Sequence, residues 1–364
     1  MHLDLFYELS VPPHLGRGEA EVYAGALDEI ELADRLGFHG AWLVEHHLMP
    51  GYSHSSKPEL VLAALARRTS RIRLGLGVIP LPYHHPLHVA ERIATLDLLC
   101  GGRLEAGIGR GFSPAEFDAF GADMAQSRSL VDESLAILRA AAADAPIIHR
   151  GRHFRLDGVR VLPRPVQRLW PPLWTAAVSP DTFDWAAREG LGVLAGPFKP
   201  WPMVAADIRR YRAAWTRPEP PRIGMTVAVL CLPDERRARA LAAPALRWSY
   251  GELLRVVAPV LERLVEGYEP FRDIGRFRRL LAAGARLPLL ELAGLAVVGT
   301  PRQCISRLRR YAEAGVTHLL CSIGAGALPD DVVRESLECI AAEVMPALAN
   351  ASPSAGAVTP GLGA

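Results

Sequence analysis

Residues 42 to 47, WLVEHH, place a carboxylate and two histidines directly after a run of large apolar side chains. Imidazole is the side chain whose ordinary pKa lies nearest neutrality, so a histidine here can take or give a proton at little cost. Trp42, Leu43 and Val44 have the aromatic and branched character of a buried strand end, and Glu45, His46 and His47 interrupt it. Side chains alternate between faces along a strand, so His46 and His47 cannot share one pocket unless the chain has already turned. One of the pair would then act and the other support it. Alone, the motif more often describes two partly exposed loop histidines.

Two further stretches could hold an anion. In GIGRG (107 to 111) the glycines let backbone amides approach a ligand, and Arg110 can grip a phosphate through two donors. Ser179 and Thr182 stand where a helix should begin, which offers hydroxyls and free amides; an ordinary N-cap would look the same. Taken with Arg110 they outline a phosphate pocket. His84, His85 and His88, with His46, His47 and His54, raise the alternative of a metal hydrolase. They lack the spacing of two residues on one strand, or the bridging carboxylate, that such a site needs, so no metal is expected there. Cys100, Cys231, Cys304, Cys321 and Cys339 are widely spaced with no Cys-x-x-Cys pair, and Cys100, Cys304 and Cys339 fall on predicted helix faces, so they read as core residues in a reducing compartment.

Which elements would carry these residues? The chain has 364 residues, half of them hydrophobic, enough for a substantial core. Its net charge is +2, without a basic block, which argues against nucleic acid or an anionic membrane and for a small-molecule ligand. MHLDLFYELS carries acids and no basic leader, and no run is apolar enough to span a bilayer, so a cytoplasmic protein is expected. Short apolar runs at 3 to 9, 40 to 44, 71 to 79, 102 to 109, 172 to 178, 192 to 196, 225 to 232 and 317 to 323 alternate with amphipathic segments. Eight strand and helix repeats without a nucleotide fingerprint at the first turn predict a closed (β/α)8 TIM barrel as one domain, 1 to 350. Within it, 149 to 163 reads as a hairpin insertion after helix 4, turning at Asp157-Gly158. Residues 234 to 290 read as helical with ill-defined ends, and 351 to 364 as a disordered tail. Catalytic residues of such a barrel lie at the C-terminal strand ends, where WLVEHH, GLGVIPLP, GIGRGF and TAAVSPDT all fall.

The ordered set WLVEHH, LPYHHP, GGRLEAGIGRG, FGADMAQSR, SPDTFDWAAREG, VGTPRQC and VMPAL, spread from residue 3 to about 348, resembles the bacterial luciferase-like flavin monooxygenases, most closely their luciferase α-subunit branch. The resemblance implies reduced FMN, supplied by a separate reductase, with oxygen adding to the flavin to give a C4a-peroxyflavin that oxygenates a small organic substrate by Baeyer–Villiger-type chemistry or hydroxylation. Carried over, His46 is the catalytic histidine, His47 its neighbour and Glu116 an acid near the flavin. Arg110, Arg128, Ser179 and Thr182 are phosphate ligands, Val178 stands beside the phosphate site, and Gly109 is a further cofactor-binding position. Gly77-Val78 matches a cis peptide under its ring. Gly109 replaces a reactive cysteine and Val178 a glutamate, and 234 to 290 corresponds to a mobile lid after strand 7 without being similar to it. Oxygenation in secondary metabolism or degradation is therefore expected in place of light emission. The family also implies a homodimer through the helices after strands two and three. The alternatives are a deazaflavin-dependent dehydrogenase of the same superfamily or a flavin-binding protein without turnover.

Overall fold

The computed structural model describes residues 1–143, 145–167, 170–265 and 285–349. In chain order the strands are β1 (His2–Tyr7), β2 (Gly40–Leu43), β3 (Arg73–Pro80), β4 (Leu104–Gly109), β5 (Ile147–Arg150), β6 (Arg155–Val159), β7 (Leu173–Ala177), β8 (Gly192–Ala195), β9 (Ile223–Cys231), β10 (Ala296–Gly299) and β11 (His318–Ile323). Eight of them close in the order β1-β2-β3-β4-β7-β8-β9-β11, with β11 returning to β1 and every pairing parallel. This is the expected TIM barrel.

The helices that matter for the site are α1 (Glu19–Leu36), α2 (Pro58–Arg68), α3 (Pro86–Leu99), α4 (Pro114–Ala119), α5 (Ser127–Ala142), α6 (Pro180–Glu189), α7 (Trp201–Ala214) and α8 (Glu235–Val265). After α8 come α9 (Leu287–Leu292), α10 (Pro301–Glu313) and α11 (Asp330–Cys339). Pro58, Pro86, Pro180 and Pro301 each occupy a first helical position, where the missing N–H would have had no helical partner and the fixed φ suits the turn.

The barrel interior is filled by Trp42 and Trp174, whose rings meet edge to face at 5.3 Å, packed with Leu194, Leu320, Phe6 and Val78. Glycine on the neighbouring strands makes room for them. A Cβ on Gly75 would lie 2.2 Å from the Trp42 ring, and one on Gly192 2.5 Å from that of Trp174. Both indole N–H groups reach carboxylates below them, Trp42 to Asp4 at 2.8 Å and Trp174 to Glu105 at 2.7 Å. Buried donors are thereby satisfied.

Four details differ from the expectation. The hairpin β5–β6 follows α5, but its turn spans 151 to 154, where Glu133 accepts from the backbone of His153 and Phe154 and from the His149 ring. Asp157-Gly158 lies within β6 instead. Gly158, at φ +73°, is the extra residue of a bulge opposite Ile147 and Ile148, so its left-handed conformation serves a strand irregularity. Second, 296 to 299 form β10, which shares one edge of β9 with β8: β8 takes the first half and β10 the second. Third, the helix after strand two, expected at a dimer contact, buries Val61, Leu62, Leu65 and Ala66 in its own barrel, so the apolar run 60 to 66 leaves mainly Leu60 exposed for any partner. Fourth, the segment expected to be helical is so over 235 to 265, as α8, but with a defined start at Glu235; the rest of the expected lid up to 284, and the tail beyond 350, lie outside the described residues. All five cysteines are free; Cys339 is half-buried and the others are buried.

Candidate active site

The C-terminal ends of seven barrel strands surround one cavity of about 560 Å³, a size in the range of roughly 300 to 1,000 Å³ common for small-molecule sites. Its wall includes Phe6 and Glu8 from β1 and its end, Val44 to His46 after β2, and Gly77, Val78 and Pro80 of β3. Gly109 to Phe112, Thr175 to Ser179, Leu194 to Phe198 and Thr226 continue it around the mouth, and Val257 of α8 reaches over.

His46 stands between two carboxylates. Its Nδ1 is 3.8 Å from Glu116 Oε1 and its Nε2 3.9 Å from Glu8 Oε2. Neither distance makes a hydrogen bond, and His46 Nδ1 and Glu8 Oε2 are buried without a partner. Burial alone would lower the pKa of His46, but Glu116 and Glu8 outweigh it and hold the imidazole above its ordinary range. Glu8 is pushed up by burial, against the opposing pull of His46, Tyr52 and Ser53; Tyr52 donates to its Oε1 at 2.9 Å. Glu116 is fixed by the His47 backbone N–H at 2.7 Å and by Tyr83 Oη at 3.1 Å. The Phe112 ring meets that of His46 edge-on at 5.4 Å.

His47 does not reach the cavity. Its ring lies 3.2 Å from Glu45 Oε1, and Glu45 also takes His84 Nε2 and, at 3.1 Å, Arg92 Nη1. Burial would raise the pKa of Glu45, but these partners bring it down to about 2. The parity of β2 explains the division: Trp42, Val44 and His46 face inward and His47 outward, so one histidine looks into the cavity and the other anchors the loop.

On the other side of the mouth Arg110 and Arg128 line the cavity, and neither has a carboxylate partner among the described residues. Burial, and then the neighbouring Arg128 charge, lower the pKa of Arg110. Ser179 precedes α6 but makes no capping bond; its hydroxyl lies 2.9 Å from that of Thr182, and both line the cavity. Asp132 and Asp181 border the same region. The Gly77–Val78 peptide is cis, as the resemblance implied. Gly109 is glycine for lack of room, since a Cβ there would lie 2.5 Å from Val78.

The structure thus brings together His46, Glu116, Gly77, Val78, Gly109, Arg110, Arg128, Val178, Ser179 and Thr182, and leaves the side chain of His47 outside. Sequence reasoning missed Glu8. Its signal was available: Asp4, Phe6 and Glu8 share the inward face of β1, and Glu8 falls at the C-terminal end where barrel sites lie.

A parallel eight-stranded barrel with a cation-lined, otherwise largely apolar cavity at its C-terminal mouth is the architecture of a cofactor-using barrel enzyme. The family model for luciferase-like monooxygenases matches residues 1–318, and the chain belongs to that family. It is 33% identical over 338 residues to the protein y4wF of Sinorhizobium fredii, covering 91% of this chain and 93% of that one. Limonene 1,2-monooxygenase of Rhodococcus erythropolis is 29% identical over 343 residues, covering 88% and 80%. Among solved structures, the monooxygenase RslO1 from Streptomyces bottropensis superposes with a TM-score of 0.79 at 28% identity, covering 95% and 99%. The oxygenating constituent of 3,6-diketocamphane monooxygenase of Pseudomonas putida, solved with FMN, shares the fold with a TM-score of 0.76 at 20% identity, covering 95% and 98%.

Proposed function

We propose that this chain is the oxygenase of a two-component, FMN-dependent monooxygenase, acting on a small and largely apolar organic substrate, with residues 1 to 350 as one domain. The observation that carries the reading is one cavity that, among the described residues, has two arginines without an ion-pair partner at one side and a histidine with an unpartnered ring nitrogen at the other. Arg110, Arg128, Ser179 and Thr182 would hold the FMN phosphate, where charge-assisted bonds are stronger than neutral ones. Gly77, Val78 and Gly109 would offer a close backbone seat for a flat ring, with Val178 beside it. Bound reduced FMN supplies the two electrons that let dioxygen give one atom to substrate and the other to water. His46 holds or passes the proton that this requires, Glu116 and Glu8 set its charge, and Val257 and Phe198 restrict water at the opening.

The flavin-dependent trigonelline monooxygenase of Acinetobacter baylyi, 31% identical over 182 residues, is named as an oxygenase component, which supports a separate protein as the source of reduced flavin here. A homodimer through α2 and α3, which expose Leu60, Leu98 and Leu99, completes the proposal; sedimentation at micromolar concentration tests it. The function is tested by anaerobic titration with FMNH2 and with a reduced deazaflavin, followed by oxygen. Tight binding of FMNH2 and oxygen-dependent flavin reoxidation that responds to small terpenoid or cyclic ketone substrates are expected. Preferential binding of the deazaflavin would reverse the assignment.

A further inference from the structure

At the N-terminal end of the barrel, opposite the cavity, three histidines from separate parts of the chain meet. His2 begins β1, His39 precedes β2 and His318 begins β11, and one ring nitrogen of each lies within 4.8 Å of one on each of the others. His2 and His318 are register partners across the β1–β11 pairing. The His2 and His39 rings stack at 4.0 Å, and the His318 ring lies 5.0 Å from both. We propose that His2, His39 and His318 form a site for a divalent transition cation of the zinc, nickel or copper class.

The hydrogen bonds fix which nitrogens are available. His39 Nδ1 lies 2.9 Å from Asp4 Oδ1, and an ionised carboxylate has no proton to give, so Nδ1 carries the hydrogen and Nε2 keeps a lone pair. The Thr317 hydroxyl donates its one hydrogen to the Ile223 carbonyl at 3.1 Å and accepts from the Ile223 amide. With the hydroxyl hydrogen on that carbonyl, His318 Nδ1, 2.8 Å from the same oxygen, donates to it and Nε2 is bare. With His39 held in one tautomer and His318 free to take the same one, and no donor on either Nε2 among the described residues, the pair offers two lone pairs to an electrophile. Asp4, fully buried, also accepts from Trp42, so its carboxylate fixes the His39 ring from behind, as the outer carboxylate of a metal-bound histidine does.

The donor set decides the class of ion. Three neutral nitrogens suit zinc, nickel or copper and not magnesium or calcium, which take oxygen ligands. Ligand atoms around a tetrahedral zinc lie about 3.4 Å apart and imidazole lone pairs lie in the ring plane, so the His2 ring must leave its stack on His39 to share an ion with it, and it is the exposed ring of the three. A solvent molecule from that side would complete the shell. Arg222, paired with Glu105 and lying over Trp174, is a nearby cation, so affinity in the micromolar range is expected in place of a zinc-finger value. The bound ion would tie the starts of β1, the β2 approach and β11 together, which is the seam where the last strand closes the barrel.

The test uses untagged, chelator-dialysed, full-length protein titrated with ZnCl2 by calorimetry, and with CoCl2 by visible absorption, where tetrahedral cobalt gives intense bands. One equivalent bound, with Tm rising by a few degrees at saturation, is expected. His2→Ala, on an exposed ring, should weaken binding at least tenfold without changing the circular dichroism of the ion-free protein, and His318→Gln should abolish it. His88→Ala, on a surface ring 77% exposed, should leave binding unchanged. No binding in the wild type, undiminished binding in His2→Ala, or loss in His88→Ala would each overturn the site. None of these readouts depends on flavin.

Discussion

The two ends of the barrel are built from the same side-chain types and finish them differently. At the N-terminal end each buried carboxylate is saturated: Asp4 by His39 and Trp42, Glu105 by Arg73 and Trp174. At the C-terminal end, among the described residues, Glu8 Oε2 and His46 Nδ1 are buried without partners, and Arg110 and Arg128 pair with no carboxylate. Unmade bonds to buried polar groups cost about 1 to 3 kcal/mol each, so a fold keeps them where a ligand or a reaction supplies the partner. Polarity alone does not distinguish a site from a structural cluster. Incomplete satisfaction around one ligand-sized cavity does.

The largest test of that contrast is His46→Ala. If the unpartnered imidazole handles the proton, product formation should fall by about 10²- to 10⁴-fold, while reduced FMN binds nearly as before, because the phosphate-side groups are untouched. His47→Ala is the matched probe from the saturated side of the same loop. It should spare the rate per folded molecule and instead lower stability by about 1 to 3 kcal/mol, the cost of leaving Glu45 short of a partner. Product per reduced FMN, hydrogen peroxide released and Tm, measured on both variants, separate the roles; a catalytic loss in His47→Ala with His46→Ala mild would reverse them.

Next in size is the acid response of Glu45. Its folded pKa of about 2 lies below the ordinary 4.5, so its partners contribute stability that is fully present above about pH 4.5 and lost as pH falls toward 2. The shift corresponds to about 3 kcal/mol. Urea melts of wild type and Glu45→Gln at pH 7 and pH 3 should show the gap between them narrowing at the lower pH. An unchanged gap would mean that the cluster is held by packing and not by charge. Smaller again is Arg110→Ala, expected to weaken FMN binding by about 1.5 to 3 kcal/mol, or roughly 10- to 150-fold, and riboflavin binding far less. Equal losses in calorimetry would remove the phosphate from this side of the cavity.

The alternation of apolar runs and helical segments made the barrel legible, because eight buried parallel strands leave eight short apolar stretches and the helix starts carry prolines. The residues at strand ends followed from the same rule. What escaped had physical reasons. Asp157-Gly158 has turn chemistry, but a left-handed glycine serves a bulge as well as a turn, and Glu133, distant in sequence, chose the turn by binding the backbone at 153 and 154. The strand β10 is four residues long and pairs on half an edge, too little for a periodic signal. Glu8 was hidden inside an apolar stretch, and its meaning depends on His46 and Glu116 arriving from β2 and from α4. The meeting of His2, His39 and His318 has no local trace, since barrel closure alone brings residue 318 beside residue 2.

The finest test asks whether the open end works through charge. Glu116 and Glu8 hold His46 above its ordinary pKa against burial. A raised pKa means that the imidazolium is stabilised in the folded state, with the stabilisation fully present below pH 6.5 and lost as pH rises through the folded value. If catalysis uses neutral His46 as a base, the rising limb of kcat/KM lies above pH 6.5 in the wild type. Glu116→Gln keeps an oxygen for the His47 amide and removes the charge, so the limb should move to lower pH, with KM for the organic substrate little changed. Glu8→Gln should move it the same way, because its Oε2 faces the other ring nitrogen at nearly the same distance. A saturated cluster gives the opposite result: His84→Gln, beside Glu45, should leave the limb where it is. If both carboxylate variants leave the limb in place, the unpartnered atoms around His46 belong to ligand binding, and proton transfer must be sought elsewhere in the cavity.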